Sequence, residues 1–177
     1  TTCRYKRDMT KLEDSLRELE ATQGDMRQHF LYTTQIANEV LRAHNQDAIS
    51  HSNRLEPDTS SQETLRRLTA AWEYAITTFE GDITPRFIAE IATMVDPYQG
   101  KYRTTTATVT GCRGTYVMTN PAKIDREMNK LVDGVNNTRK HPVVTAAELH
   151  LYFAIIHPLD DGNGRVARLL QNVVLYH

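Results

Sequence analysis

Cysteine is scarce in this chain of 177 residues, which contains only Cys3 and Cys112. The two lie far apart and form no Cys-x-x-Cys pair, so neither a disulfide framework nor a cysteine-rich metal site is expected. Long hydrophobic runs are missing too, because a membrane-spanning helix needs about 20 apolar residues and the runs here are far shorter. The sequence therefore predicts a cytoplasmic protein that has no membrane partner.

An excess of basic charge is also lacking, because 21 Lys and Arg residues face 22 Asp and Glu residues, giving a formal net charge of -1. Proteins that hold nucleic acid mainly through its phosphates need a basic excess. The charge balance argues against nucleic acid as a partner, and against a DNA-binding regulator built on the N-terminal part. A phosphate-bearing ligand should be small and held by a few local groups.

Proline is absent before Pro57. Apolar residues recur in that stretch at steps of three, four or seven, which is a helical period; they are Leu12, Leu16, Leu19, Met26, Phe30, Ala37 and Val40. Gly24 favours a break into two helices. Because Gln23, Thr33 and His44 interrupt the apolar seam, a packed helical hairpin is favoured over a coiled coil.

Start signals predict four further helices in the rest of the chain. The residues that would cap them are Ser60 with Glu63, Thr84 with Pro85, Asn120 with Pro121, and Thr145 with Glu148.

The exception to the helical pattern is Thr104–Thr119, where β-branched residues surround a turn and predict one isolated β-hairpin. A lone hairpin is only marginally stable, so it must pack against the helices. Its unpaired edge could accept a strand from another chain. An equal alternative is that the hairpin only connects two helices and has no binding role. The fold class is therefore all-α with one β-hairpin.

A polar loop near the end of the chain carries the strongest chemical signal. A helix is expected to halt at His157-Pro158, after which Leu159 leads into Asp160-Asp161-Gly162-Asn163-Gly164-Arg165. Two glycines around an asparagine let backbone N–H groups turn inward as an anion nest. The helix that follows points its positive N-terminal end at the same place. The loop therefore predicts an anion-binding site.

Charged side chains around this loop extend the chemistry. Arg165, Arg168 and Asn172 fall on one flank of the following helix, and the arginines can contact phosphate oxygens. Asp161 could hold Mg²⁺ together with substrate phosphates. His157 could accept a proton from an incoming hydroxyl. Together these residues predict a nucleotide site suited to phosphoryl or nucleotidyl transfer.

The whole string from His157 to Arg168, HPLDDGNGRVAR, resembles the signature HPFx[DE]GNGRxxR of the Fic (filamentation induced by cAMP) family. His150 and the stretch Gly100–Arg103 also look like family features. The resemblance implies a mainly helical Fic fold in which the hairpin is a flap beside the active site. We therefore expect two parts, an N-terminal helical segment over residues 1–57 and a Fic domain over 58–177 whose last helices are missing.

The resemblance further implies an enzyme that transfers AMP from ATP, with Mg²⁺, to a Ser, Thr or Tyr hydroxyl of a target protein. His157 would be the general base and Asp161 the metal ligand. The nucleotide-binding residues would be Gly162, Asn163, Gly164, Arg165, Arg168 and Asn172. The flap residues that would bind the target by strand addition are Thr106, Ala107, Thr108, Val109 and Thr110.

Two positions qualify this resemblance. Gly164 favours AMP transfer, because the phosphate-transferring Doc branch carries lysine there. Leu159 stands where the family has phenylalanine, so we expect a slightly looser loop with intact chemistry.

Many Fic proteins carry an inhibitory helix with the pattern [ST]xxxE[GN]. Ser52 to Glu56 matches it best, ahead of Thr59–Glu63 and Thr69–Glu73. Pro57 occupies the Gly or Asn position and cannot take the left-handed conformation of a glycine cap. We expect Glu56 to inhibit the site, with a surface glutamate as the alternative.

The sequence leaves two alternative functions open for the same site. One is a hydrolase that removes AMP from a target, and another is a non-catalytic Fic-fold module for protein interaction. Every motif residue with a chemical role is present, which argues against the module. The target protein is not evident from the sequence, and whether two copies form a homodimer is open.

Overall fold

The computed structural model describes residues 11–22, 47–52, 61–97, 100–111 and 114–176. Almost all of the ordered elements are helices, as the sequence predicts: α1 (11–22), α2 (47–52), α3 (Gln62–Thr78), α4 (Pro85–Val95), α5 (Ile124–Asn136), α6 (Pro142–Ile156) and α7 (Asn163–Tyr176). A 3-10 turn, Pro121–Lys123, leads into α5. Within the described ranges, no helix is both long and apolar enough to cross a bilayer.

The chain divides into two compact units, Thr1–Asn45 and Gln46–His177. The first contains α1, and the rest of the predicted N-terminal helical hairpin, residues 23–45, lies outside the described residues. Helix α2 belongs to the second unit, where Ile49 is buried in the core. The functional division at residue 57 stays a prediction, although α2 and the later helices share one hydrophobic core.

Two of the predicted helix starts are confirmed by their side-chain caps. Thr84 Oγ1 accepts a hydrogen bond from the Phe87 N–H at 3.1 Å, directly before α4. Asn120 Oδ1 accepts from the Ala122 N–H at 3.0 Å and so begins the 3-10 turn that precedes α5. In both cases proline takes the first helical position, where its missing N–H is not needed.

The other two predicted caps are wrong in register. Helix α3 is capped by Ser61, whose Oγ accepts from the Thr64 N–H at 3.1 Å, while Ser60 lies outside the described residues. Helix α6 begins three residues before Thr145, because the His141 ring accepts from the Val143 N–H at 3.2 Å. A ring nitrogen replaces the usual hydroxyl or carboxylate acceptor, so the pattern that favours Thr145 misses this start.

Helix α7 is the centre of the second unit, since it packs against α3, α4 and α6. Its buried apolar residues are Val166, Ala167, Leu169, Leu170 and Val173. They join the side chains of α3 to α6 in one core. The N-terminus of α7 is therefore held rigidly beside the C-terminus of α6, where the motif loop lies.

The predicted hairpin is confirmed, with strands shorter than Thr104–Thr119. Strand β1 (Thr108–Gly111) pairs antiparallel with β2 (Gly114–Val117), and Thr108 faces Val117 in the register. All eight strand residues are exposed, so the hairpin adds nothing to the core. Below the strands, the Met118 N–H donates to the Ala107 carbonyl at 3.0 Å and closes the hairpin's base.

Candidate active site

The backbone at the end of α6 turns sharply at His157. This residue has φ 52° and ψ 59°, and it is the only non-glycine residue with positive φ in the described ranges. A left-handed residue with a side chain costs about 1–3 kcal/mol, so the surrounding contacts must hold it in place. Its N–H donates to the Phe153 carbonyl at 2.8 Å and ends the helix there.

The imidazole of His157 is oriented by its own helix. Its Nδ1 lies 3.3 Å from the Ala154 carbonyl oxygen. Because a carbonyl can only accept, this hydrogen bond requires the proton on Nδ1 and leaves the lone pair of a neutral ring on Nε2. The ring is half-buried. His157 therefore lies at the loop entrance, and its role as the general base stays a prediction.

The side chain of Asn163 bridges the loop after His157. Its Oδ1 accepts from the Leu159 N–H at 2.9 Å, and its Nδ2 donates to the Leu159 carbonyl at 2.8 Å. Leu159 is only 2% exposed, so its side chain anchors this loop in the core. The Asn163 carboxamide, 3% exposed, therefore shapes the loop and leaves only the backbone N–H of Asn163 for an anion.

The nest predicted around Gly162 and Gly164 lies at the start of α7. Gly162 has φ 76°, which a residue with a Cβ rarely adopts. The first helical bond of α7 joins the Val166 N–H to the Gly162 carbonyl at 2.9 Å. The N–H groups of Asn163, Gly164 and Arg165 precede that bond and lie at the positive end of the helix dipole. This helix start is an anion-binding geometry.

Arg165 and Asp161 form an ion pair within the motif. Arg165 Nη2 lies 3.0 Å from Asp161 Oδ2, and the arginine side chain is 4% exposed against 65% for the aspartate. Arg165 Nε is buried without a hydrogen-bond partner. Asp161 Oδ1 accepts from the Gly162 N–H at 2.6 Å. The positive charge of Arg165 therefore lies next to the loop but is buried in the protein.

Asp161 also fits the metal role predicted for it. Its carboxylate is largely exposed and next to the anion nest. In the described ranges no group of three or more His, Cys, Asp and Glu side chains could hold an ion alone. Mg²⁺ commonly binds one or two carboxylates together with substrate phosphates and water. A single carboxylate at this place is compatible with that mode of binding, and the metal role of Asp161 stays a prediction.

Arg168 reaches a residue from α2. Its Nε donates to Ser52 Oγ at 2.6 Å and its Nη2 to the Ser52 carbonyl at 3.1 Å. The structure thus brings together a predicted nucleotide-binding residue and a predicted regulatory one. Glu56, the other predicted regulatory residue, lies outside the described residues. Asn172, half-buried, follows Arg168 by about one turn of α7.

Residues 82–175, more than half of the chain, match the model of the Fic/DOC family. This chain belongs to the Fic/DOC family. It is similar to "Protein adenylyltransferase Fic" of Nematostella vectensis, with 37% identity over 79 residues, 43% of this chain and 18% of that protein. It is also similar to "Protein adenylyltransferase fic-1" of Caenorhabditis elegans, with 33% identity over 84 residues, 45% of this chain and 16% of that protein. The chain therefore matches less than a fifth of the length of these relatives.

Solved structures agree with the Fic/DOC assignment at the level of the fold. Fic-1 from C. elegans superposes with a TM-score of 0.73 at 22% identity, covering 94% of this chain and 59% of that one. IbpAFic2, in a structure where it is covalently tethered to Cdc42, gives a TM-score of 0.62 at 22% identity, covering 73% of this chain and 46% of that one. The predicted mainly helical Fic fold with a hairpin is confirmed.

The predicted flap of this Fic/DOC chain lies at the surface. Thr106, Thr108, Val109 and Thr110 are exposed, and Ala107 is half-buried. Among the described residues, β1 pairs only with β2, so its other edge is free of strands. This edge keeps the strand-addition role predicted for residues 106–110 sterically available.

One residue of this Fic/DOC site received no role from the sequence. Arg103 is 3% exposed, and its Nε donates to the His157 carbonyl at 2.6 Å. The sequence indicates Arg103 only as part of a family-like stretch before the hairpin. No local pattern could have revealed the contact, because 54 positions separate the two residues.

Proposed function

We propose that this Fic/DOC chain is a protein adenylyltransferase that transfers AMP from ATP to a Ser, Thr or Tyr hydroxyl of a target protein. One observation carries the proposal: a histidine whose Nδ1 lies 3.3 Å from the Ala154 carbonyl oxygen ends α6, and the anion nest begins α7 just across the motif loop. The relatives named protein adenylyltransferase support the same activity.

The proposed reaction is a substitution at the α-phosphorus of ATP. The hydroxyl oxygen of the target forms a bond to this phosphorus, the bond to the bridging oxygen breaks, and pyrophosphate leaves. His157 Nε2 takes the hydroxyl proton, which makes the oxygen a better nucleophile as the bond forms. The histidine and the nest would face the phosphate from the two helix ends that meet at this loop.

The backbone N–H groups at the start of α7 would bind phosphate oxygens and stabilise their charge. Arg165 adds positive charge from its buried position, and Arg168 would orient the terminal phosphate once released from Ser52. Asp161 would hold Mg²⁺, which would neutralise phosphate charge during transfer. Gly164 leaves the nest free of a side chain, consistent with AMP transfer and not phosphate transfer.

The free edge of β1 supports a protein as the second substrate. An extended segment can add to such an edge through main-chain hydrogen bonds, which would place its hydroxyl near His157. IbpAFic2, one of the similar structures, was captured tethered to a protein, Cdc42. The cytoplasmic location and the homodimer stay predictions.

Regulation by the segment before the Fic domain is part of the proposal. Ser52 begins the candidate inhibitory pattern and bonds to Arg168, so α2 is near the arginine that Glu56 would have to reach. Four residues after Ser52, Glu56 would pair with Arg168 and exclude the terminal phosphate. Substituting Glu56→Gly should then raise self-modification, and an unchanged rate would argue for a surface glutamate.

Labelled ATP tests the proposed activity. The protein, with Glu56→Gly to remove inhibition, is incubated with Mg²⁺, cell lysate and ATP labelled on either the α- or the γ-phosphate. We expect protein labelling from the α-label alone, loss of labelling in His157→Ala, and retention in the control His150→Gln. Transfer of the γ-label would indicate a kinase-like reaction. No transfer of either label would favour an interaction module.

A further inference from the structure

We propose that Arg103 is a positioning residue that locks the hairpin to the turn carrying His157. The inference rests on the proposed function, in which the hairpin binds the target and His157 accepts its proton. Arg103 lies five residues before β1 and is almost fully buried. Its contacts join three parts of the site that are far apart in the sequence.

On one side, Arg103 holds the end of α6. Its Nε donates to the His157 carbonyl at 2.6 Å and its Nη2 to the Ile156 carbonyl at 3.4 Å. Its backbone N–H donates to the Pro158 carbonyl at 2.8 Å. Three successive carbonyls, those of Ile156, His157 and Pro158, are therefore bound by one residue. These bonds oppose relaxation of His157 from its left-handed conformation.

On the other side, the same guanidinium holds both ends of the hairpin. Nη1 donates to the Thr105 carbonyl at 2.5 Å, where the chain enters the hairpin. Nη2 donates to the Thr119 carbonyl at 2.5 Å, where the chain leaves it. The eight residues of the strands are exposed, so the hairpin's position relative to His157 depends on contacts at its base. Arg103 makes two of these contacts, to the carbonyls of Thr105 and Thr119.

The chemistry of this position favours arginine specifically. No Asp or Glu in the described parts of the chain forms an ion pair with Arg103, and all its acceptors are backbone carbonyls. A buried cation is stable only if its donors are satisfied, and the carbonyls at the end of α6 lie at the negative end of the helix dipole. A planar guanidinium can serve four carbonyls in several directions, whereas a lysine has three donors on one atom.

A structural role alone would reduce stability without changing the geometry of a folded variant. The positioning role predicts more: when the guanidinium is replaced, the hairpin and His157 should both move while the nucleotide site persists. Within the described residues, the hydrogen bonds of Arg103 reach neither the nest nor Arg168, so ATP affinity should be retained. The rate of AMP transfer should fall by about 10- to 100-fold, because small misplacements of reacting groups cost that much.

The test compares the full chain with Arg103→Lys, which keeps the charge, and with Arg126→Lys as a matched control. Arg126 lies on α5 with 61% of its side chain exposed. Four measurements are made: ATP binding by calorimetry, AMP transfer, the NMR signals of the His157 ring, and hydrogen exchange of the hairpin amides. We expect Arg103→Lys to bind ATP normally, transfer AMP slowly, shift the His157 signals and exchange the hairpin amides faster. The control should match the wild type.

Unchanged His157 signals or unchanged hairpin exchange in folded Arg103→Lys would overturn the proposal. If the wild type transfers no AMP, the proposed function fails, while these two readouts still decide the role of Arg103. Should the variant not fold, ¹⁵N NMR of the wild type decides instead. The Arg103 Nε–H must then exchange with solvent far more slowly than that of Arg126, and equal rates would overturn the inference.

Discussion

The guanidinium of Arg168 is bound to Ser52, which lies 116 positions earlier in the chain. Arg168 Nε donates to Ser52 Oγ at 2.6 Å, and Nη2 donates to the Ser52 carbonyl at 3.1 Å. The arginine that we propose to bind phosphate is thus already engaged by Ser52, which is the last described residue of α2 and the first residue of the candidate inhibitory pattern. In the proposed function, binding of ATP through Arg168 would compete with this contact.

Ser52→Ala should weaken that competition. A hydrogen bond to a charged group contributes about 1.5–3 kcal/mol, so its loss should strengthen ATP binding by roughly tenfold or more, provided that Arg168 binds phosphate. The matched control is Ser50→Ala on the same helix. Calorimetric titration with Mg-ATP measures the effect, and equal affinities in both variants would show that Ser52 does not restrain Arg168.

Asn163→Ala should damage the motif loop without touching a charged residue. It removes two buried hydrogen bonds to Leu159 and leaves the Leu159 N–H and carbonyl without their partner. The expected cost is about 2–4 kcal/mol of unfolding free energy, with weaker ATP binding because the nest loses its shape. Chemical denaturation measures the stability. Asn129→Ala, at an exposed position of α5, is the control and should change neither quantity.

Leu159→Ala tests whether this loop is anchored in the core. Leu159 is 2% exposed, and removing a buried leucine side chain typically costs about 2–5 kcal/mol. Leu151→Ala on α6, where the leucine is 56% exposed, should cost far less. Thermal unfolding distinguishes the two. Equal losses of stability in the two alanine variants would contradict the anchoring role. A separate variant, Leu159→Phe, tests whether leucine leaves the loop loosely packed.

The contact between α3 and α4 predicts a dependence of stability on pH. The Tyr74 hydroxyl, which donates to Glu90 Oε2 at 2.6 Å, and then Arg86 lower the pKa of Glu90 below its ordinary value of 4.5. Because the folded state binds this proton less tightly, Glu90 stabilises the fold above about pH 4.5, and the contribution is lost as pH falls through the lowered pKa.

Glu90→Gln should therefore lose less stability than the wild type when the pH falls below about 4.5. The measurement is the unfolding midpoint from pH 7 down to pH 3, compared between wild type and variant. We expect the difference between the two unfolding midpoints to become smaller as the pH falls. A gap that stays constant would show that Glu90 titrates normally in the folded protein.

The sequence by itself determined the motif loop, the helical fold and the hairpin. Its signals are local: the twelve positions from His157 to Arg168 are contiguous, and the caps Thr84 and Asn120 act within one turn. Such interactions depend on neighbours along the chain, so residue order is enough to predict them. Even locally the prediction was wrong where an unusual acceptor was used, as at His141, which starts α6 before Thr145.

Only the tertiary structure decided which distant residues support that loop. The bond from Arg103 to His157 spans 54 positions, and the bond from Arg168 to Ser52 spans 116. Neither leaves a periodic or spaced pattern, because each forms only when the tertiary fold brings distant segments of the chain together. The same packing buries Arg165 and turns the Asn163 carboxamide towards Leu159. The sequence thus predicts which groups can do the chemistry, and the packing determines what holds them in position.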